Sequence, residues 1–129
     1  MKREGDDVSI ITYGAMVHKA LEAADELAER DVSVEVVDLR TIYPLDSETI
    51  LESVAKTSRA LVLYESLKFL GVGSEVSAII AEEGFESLDA PVMRLAPPHT
   101  PVPFSPPLED AFVPQVEDII GAVDRLSKW

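Results

Sequence analysis

VSIITYGAMVHKALEAADELAERDVSVEVV, residues 8–37, changes its period twice, and those changes decide the fold. Val8-Ser9-Ile10-Ile11-Thr12 is a short, largely β-branched run that stops at Tyr13-Gly14. From Met16 the apolar positions recur at helical spacing, so Met16, Val17, Ala20, Leu21, Ala24, Leu27 and Ala28 share one face. Lys19, Glu22, Asp25, Glu26, Glu29 and Arg30 take the opposite face. Glu26 stands four residues before Arg30, the favourable order for a helical ion pair. Val32 to Val37 then resumes as a second strand. A strand, a helix and a strand with short joints form a parallel unit with a right-handed crossover.

Working outward, the alternation continues. Pro44 interrupts regular structure, and Asp46 is the N-cap expected for a helix that turns Ile50, Leu51, Val54 and Ala55 inward. Ala60 to Tyr64 is nearly continuous apolar sequence, the pattern of a strand covered on both faces. Gly71-Val72-Gly73-Ser74 opens a further helix with Val76, Ile79, Ile80 and Ala81 facing in, and Gly84 ends it. Pro91 to Leu95 supplies a short fourth strand. Between residues 97 and 107, Pro97, Pro98, Pro101, Pro103, Pro106 and Pro107 predict an extended, stiff loop, because proline donates no ladder hydrogen bond. Pro114 suits the first turn of a last helix that carries Val116, Ile119, Ile120, Val123 and Leu126.

The fold class that follows is α/β, with helices on both faces of a mainly parallel four-stranded sheet in a three-layer α/β/α arrangement. The strand order second, first, third, fourth puts the topological switch between the first and third strands. Their carboxyl ends are Tyr13-Gly14 and Tyr64-Glu65, and a ligand would be sought there first. Residues 1–129 read as one domain, without repeats.

Composition narrows the function classes. Asp and Glu number 24 against 11 Lys and Arg, a net charge of −13, which repels nucleic acid and anionic membranes. The acid is spread along the chain, so it coats a folded surface. That coat keeps the protein soluble, or forms a docking face for a basic partner. No apolar run is long enough to span a membrane, and Met1 to Asp7 carries no signal-like apolar stretch. With no cysteine there is no disulfide framework, thiolate metal site or cysteine nucleophile, and an intracellular compartment is the expectation.

Several motifs together resemble one family. Asp38-Leu39-Arg40-Thr41-Ile42-Tyr43-Pro44-Leu45-Asp46 is similar to the Asp-Leu-Arg…Pro-Leu-Asp segment of transketolase-like C-terminal domains, with Tyr13 to His18 ahead of it at the family spacing. Tyr64-Glu65-Ser66, Gly71-Val72-Gly73-Ser74-Glu75 and Thr100-Pro101-Val102-Pro103-Phe104-Ser105-Pro106 resemble segments of the beta subunits of thiamine diphosphate-dependent 2-oxo acid dehydrogenases. The resemblance covers nearly the whole chain. Three departures stand out. Tyr64 replaces the usual His, and His99 replaces the usual Asp before Thr100, so roles that need those ionisations are not carried over. Only Met1 to Glu4 remains of an antiparallel edge strand.

The resemblance implies a non-catalytic organising domain, a fragment of a longer beta subunit in the cytoplasm, or in the mitochondrial matrix of a eukaryote. No catalytic, cofactor-binding or metal-binding residue is assigned to this chain. Thiamine diphosphate and Mg belong to the complete enzyme, held by a preceding thiamine-binding domain and an alpha subunit. Implied partners are those two, a second beta subunit and the basic subunit-binding domain of a lipoyl acyltransferase. The candidate interface residues are Tyr64, Glu65, Phe69, Gly71, Gly73, His99, Phe104 and Trp129. Two other readings remain. One is the equivalent domain of a transketolase or deoxyxylulose phosphate synthase. The other is a free-standing doubly wound module that takes a nucleotide or phosphate at Gly71 to Ser74.

Each candidate also has a plainer reading. His18 lies four residues before Glu22, which favours an exposed ion pair. Gly71 and Gly73 suit close packing of a helix on a strand or a neighbouring subunit. Asp38 and Arg40 suit a local ion pair. Phe69, Leu70, Phe104 and Phe112 serve as interface anchors or as caps on the core.

Overall fold

In the computed structural model, which describes residues 1–129, Val8–Thr12 forms the first strand, β1, and every position in it is buried. A strand buried on both faces needs a covering layer above and below. β1 pairs in parallel with β2 (Val34–Asp38) and β3 (Ala60–Leu63), and β3 pairs with β4 (Met93–Leu95). The order β2-β1-β3-β4 is the one read from the sequence. The edge-strand remnant is present as well. Lys2 N donates to Val36 O at 2.9 Å and Val36 N to Arg3 O at 2.9 Å, an antiparallel bridge on the outer edge of β2.

Helices α1 (Met16–Ala28) and α5 (Val116–Leu126) cover one face, where Val8, Ile10, Val36 and Leu61 meet Met16, Ala20, Leu27 and Ile119. Helices α2 (Ser47–Thr57) and α3 (Val72–Glu83) cover the other, where Ile11, Val37 and Val62 meet Ile50, Val54, Val76 and Ile80. Full burial of one such aliphatic side chain contributes about 1.5–3 kcal/mol. Polar residues also enter this second layer. Ser9 Oγ lies 2.7 Å from both Ser53 Oγ and Thr57 Oγ1, so the hydroxyls satisfy one another in place of water.

Some local expectations are corrected. Ala23 is buried in α1, while Ala28, the last residue of the helix, is exposed. Arg30 therefore lies beyond the helix, and it pairs with Asp124 at 3.9 Å, not with Glu26. In α2, Ser53 and Thr57 face inward and Ala55 is exposed, because β1 presents a serine to be matched. Ala81 in α3 is also exposed. The second strand begins at Val34.

The proline loop is shorter than its composition suggests. Pro106–Phe112 forms helix α4, with proline at its first positions, where a missing N–H costs nothing. Pro114 precedes α5. The cap is Gln115, whose side chain and that of Asp118 form a reciprocal capping box. Asp46 caps α2 as expected, its carboxylate accepting from Thr49 N at 3.0 Å, and that bond holds its pKa below the ordinary value.

Candidate functional site

The switch crevice is bounded by Tyr13 and Gly14 after β1 and by Glu65 and Ser66 after β3. Tyr13 Oη sits 3.4 Å from Ser66 Oγ, a long bond across the gap. Gly14 turns the chain at φ +63°, a region glycine enters without strain. Thr12, at the end of β1, has a buried hydroxyl with no protein partner, a feature with no sequence signal beyond its position. Wider clefts lie elsewhere. One of about 440 Å³ opens beside the end of β2, between Lys2, Asp38, Arg40 and Thr49, and another of about 640 Å³ lies along α3.

Beyond β3 the Tyr64 side chain turns inward and is fully buried. Its ring occupies the space left by two glycines. A Cβ on Gly73 would overlap the ring, and a Cβ on Gly71 would lie 2.8 Å from Tyr64 Cε2 and 2.6 Å from Leu67 O. The ring thus accounts for both glycines through close packing of α3 against the end of β3. Tyr64 Oη donates to Lys68 O at 3.3 Å, and Arg94 Nη1 donates to the same oxygen at 3.2 Å and to Ser74 Oγ at 2.8 Å. Tyr64 and Gly73 present no side chain at the surface of this chain and instead shape the loop between β3 and α3.

That loop carries the exposed candidates. Phe69 is 59% exposed and Leu70 is 83% exposed at φ +56°. The rings of Phe69 and His99 stack with centroids 4.8 Å apart, and Lys68 N donates to Pro97 O at 2.9 Å, so the two loops are joined by both contacts. Phe104 is almost wholly exposed and Phe112 is half-buried. Neither Phe69 nor Phe104 caps the core. Glu65 is exposed beside Gly14.

Other candidates sit apart. Asp38 Oδ2 meets Arg40 Nε and Lys2 Nζ, each at 3.7 Å, which bears out the local pair and adds a second cation. Arg40 is well exposed, so this pair contributes little to stability. His18 and Glu22 are exposed on α1 without an ion pair, contrary to expectation. A charged imidazole in the first turn would oppose the helix dipole. Trp129 is 69% exposed, and its backbone N–H donates to Leu126 O at 3.2 Å. The same carbonyl accepts from Arg59 Nε at 3.2 Å, which pins the last turn of α5 beneath the chain end.

One buried carboxylate lies outside these candidates. Glu35 in β2 is 1% exposed, 2.8 Å from Lys56 Nζ and 3.3 Å from Gly5 N. Burial pushes its pKa up, but the bonds from Lys56, Ser53 and Gly5 together outweigh burial and hold it low. The matching effect on Lys56 is upward, chiefly through its bond to Glu35. No three His, Asp or Glu side chains converge where a metal ion could sit. Glu35 is committed to Lys56, so this donor set does not fit a divalent metal.

Comparison with known proteins adds the relatives. Residues 1–119 match the family described as Transketolase, C-terminal domain. The pyruvate dehydrogenase E1 component subunit beta of Bacillus subtilis is 52% identical over 129 residues, covering 100% of this chain and 39% of that protein. The acetoin:2,6-dichlorophenolindophenol oxidoreductase subunit beta of Cupriavidus necator is 48% identical, covering 98% of this chain and 37% of that protein. The 2-oxoisovalerate dehydrogenase subunit beta of Bacillus subtilis is 45% identical, covering 100% and 40%. A solved structure, described as a split gene transketolase, inactive beta4 tetramer, superposes with a TM-score of 0.83 at 29% identity over 98% of this chain and 40% of that one. The chain thus spans about two fifths of the length of the relatives it matches.

Proposed function

Since the chain belongs to the transketolase C-terminal domain family, we propose that it is the organising C-terminal domain of a 2-oxo acid dehydrogenase beta subunit. The observation that carries this reading is end-to-end similarity, at 45–52% identity, to beta subunits acting in pyruvate and 2-oxoisovalerate dehydrogenases. In this reading residues 1–129 are one domain of a longer subunit. The complete enzyme decarboxylates a 2-oxo acid with thiamine diphosphate and Mg and passes the acyl group to lipoamide. Those groups belong to a preceding domain and an alpha subunit, and this domain contributes contacts to them and to a second beta subunit. The compartment is the cytoplasm, or the mitochondrial matrix of a eukaryote. No helix is long and apolar enough to cross a membrane.

The finer part of the proposal concerns the chain end. A net charge of −13 attracts a basic partner, and exposed Trp129 offers a ring for apolar contact. The partner of that chemistry is the basic subunit-binding domain of a lipoyl acyltransferase. In calorimetry with the complete enzyme, deleting Trp129 weakens binding of that domain, and so does raising added salt to about 300 mM. Unchanged affinity under both conditions removes the docking role. Thiamine diphosphate with Mg leaves the melting temperature of this chain unmoved, and a clear upward shift would overturn the placement of the cofactor elsewhere.

A transketolase is the second reading, favoured by the structural superposition on a split gene transketolase. Its 29% identity against 45–52% for the dehydrogenase subunits places it behind.

A further inference from the structure

Residues 1–5 lie against the body of the protein almost without apolar contact. Met1, Lys2 and Glu4 are exposed, Arg3 is half-buried, and only Gly5 is buried. A Cβ on Gly5 would overlap the backbone of Val34 and Glu35, so only a glycine lets the chain run this close to β2. What holds the segment is polar. Lys2 N donates to Val36 O and Val36 N to Arg3 O, both at 2.9 Å, and Gly5 N donates to the Glu35 carboxylate at 3.3 Å. The ion pairs of Lys2 with Asp38 and Arg3 with Asp25 each leave one partner well open to water and add little. Asp7 is fixed more firmly. Its N–H donates to Ser33 O at 2.8 Å, and Ser33 N donates back to the Asp7 carboxylate at 2.7 Å. That reciprocal pair forms a pivot, and behind it β1 is buried throughout.

Among the groups that hold the segment, Glu35 stands apart because it is buried. Lys56 Nζ of α2 lies 2.8 Å from it and also meets Asp6 at 3.6 Å. Glu52 and Ser53 of α2 and Glu4 of the segment line the same groove, of about 240 Å³. From β1 its register neighbour is Ser9, whose hydroxyl is taken up by Ser53. Lys56 is the one side-chain cation on that groove. A carboxylate buried this deeply stays charged through such partners, and their bonds are strong because it is charged. Removing the charge weakens the hold on Gly5 N and on Lys56 at once.

We propose that residues 1–5 form a latch on the outer edge of β2, locked by the charged Glu35, which swings open about Asp7 while the rest of the fold stays closed. Opening leaves Val36 N–H and C=O without their partners and turns a covered strand edge into a bare one. Local opening starts where polar bonds stand without an apolar core beneath them, as they do here. The bonds from Lys56, Ser53 and Gly5 hold the Glu35 pKa below its ordinary value, although burial pushes it up. The edge is therefore covered near neutral pH and uncovered as acid protonates Glu35. The latch rests on these bonds alone and is independent of the assignment to a dehydrogenase.

Amide hydrogen exchange of the 129-residue chain, read by NMR and corrected for intrinsic rates, tests it. At pH 7 Val36 is at least about a hundredfold less protected than Ile11 in the central strand. Glu35→Gln lowers Val36 protection by about tenfold or more. Glu52→Gln, at an exposed acid on the same groove, leaves it unchanged. Gly5→Ala holds the latch open, with Val36 unprotected and Ile11 still protected. Below pH 4.5 the protection of Val36 falls in the unmodified chain and stays level in Glu35→Gln. Equal protection of Val36 and Ile11 overturns the proposal, because the segment then opens only when the whole chain unfolds. An unfolded Gly5→Ala does the same. So does Val36 protection that Glu35→Gln leaves intact or Glu52→Gln lowers as much, or an acid fall that persists in Glu35→Gln.

Discussion

At the scale of single residues, the glycine pair before α3 shows how one sequence motif divides between two chemistries. Gly-Val-Gly-Ser ahead of a helix is compatible with an anion cradle and with close packing, and local sequence alone does not decide. The decision comes from Tyr64, seven residues before Gly71, whose ring fills the space that both glycines leave. Replacing Gly73 with Ala forces the ring or the helix to shift, and overpacking of this kind costs about 1–3 kcal/mol. Tyr64→Ala alone removes a buried aromatic ring, at about 3–5 kcal/mol. Because the two sites touch, their effects are not additive. In the double variant the added methyl meets no ring, so urea unfolding shows a coupling of at least about 0.5 kcal/mol. Additive losses would mean that the glycine is needed for something other than this contact.

At the scale of elements, the strongly periodic pieces were legible and their polar couplings were not. β1, α1, β3 and α5 follow from apolar period and breakers, since burial on both faces or on one stripe leaves that trace directly. α4 was hidden, because prolines that begin a helix look like prolines that forbid one. The polar coupling inside β2 was hidden for a different reason. Glu35 interrupts a valine run, and its partner Lys56 lies on α2, where no local pattern points to it. Among the candidate interface residues, the stacking of Phe69 on His99 was equally invisible, since it joins two loops across the end of the sheet.

Glu35 ties β2, α2 and the start of the chain through Lys56 and Gly5 N. Its folded pKa lies below the ordinary value of 4.5. The associated stability is therefore complete above the unfolded value and is lost as pH falls through the lower, folded one. Glu35→Gln keeps an oxygen for Gly5 and loses the charge opposite Lys56, at about 1–2 kcal/mol near neutral pH. It also flattens the acid limb of the stability curve below pH 4.5. Thermal melts of both proteins from neutral to acid pH check this, and parallel acid limbs would exclude Glu35 as their source.

At the scale of the whole molecule, the net charge of −13 also acts on stability. Seven ion pairs lie within 4.0 Å, but most involve exposed side chains and so contribute little. Against them stands the mutual repulsion within a chain of net −13, which favours the expanded state. Salt screens both effects, and the repulsion, summed over many unpaired acids, is the larger. The melting temperature at pH 7.5 accordingly rises as NaCl increases from near zero to about 0.3 M. Mild acid relieves the same repulsion by protonating exposed carboxylates, until Glu35 begins to titrate and removes its anchor. Those opposing trends place maximum stability on the acid side of neutrality, at about pH 5–6. Melts across pH and salt check both trends. A melting temperature that falls with salt at pH 7.5 would show that the ion pairs outweigh the repulsion. The −13 surface would then count for partner choice and solubility alone, with no hold on the fold.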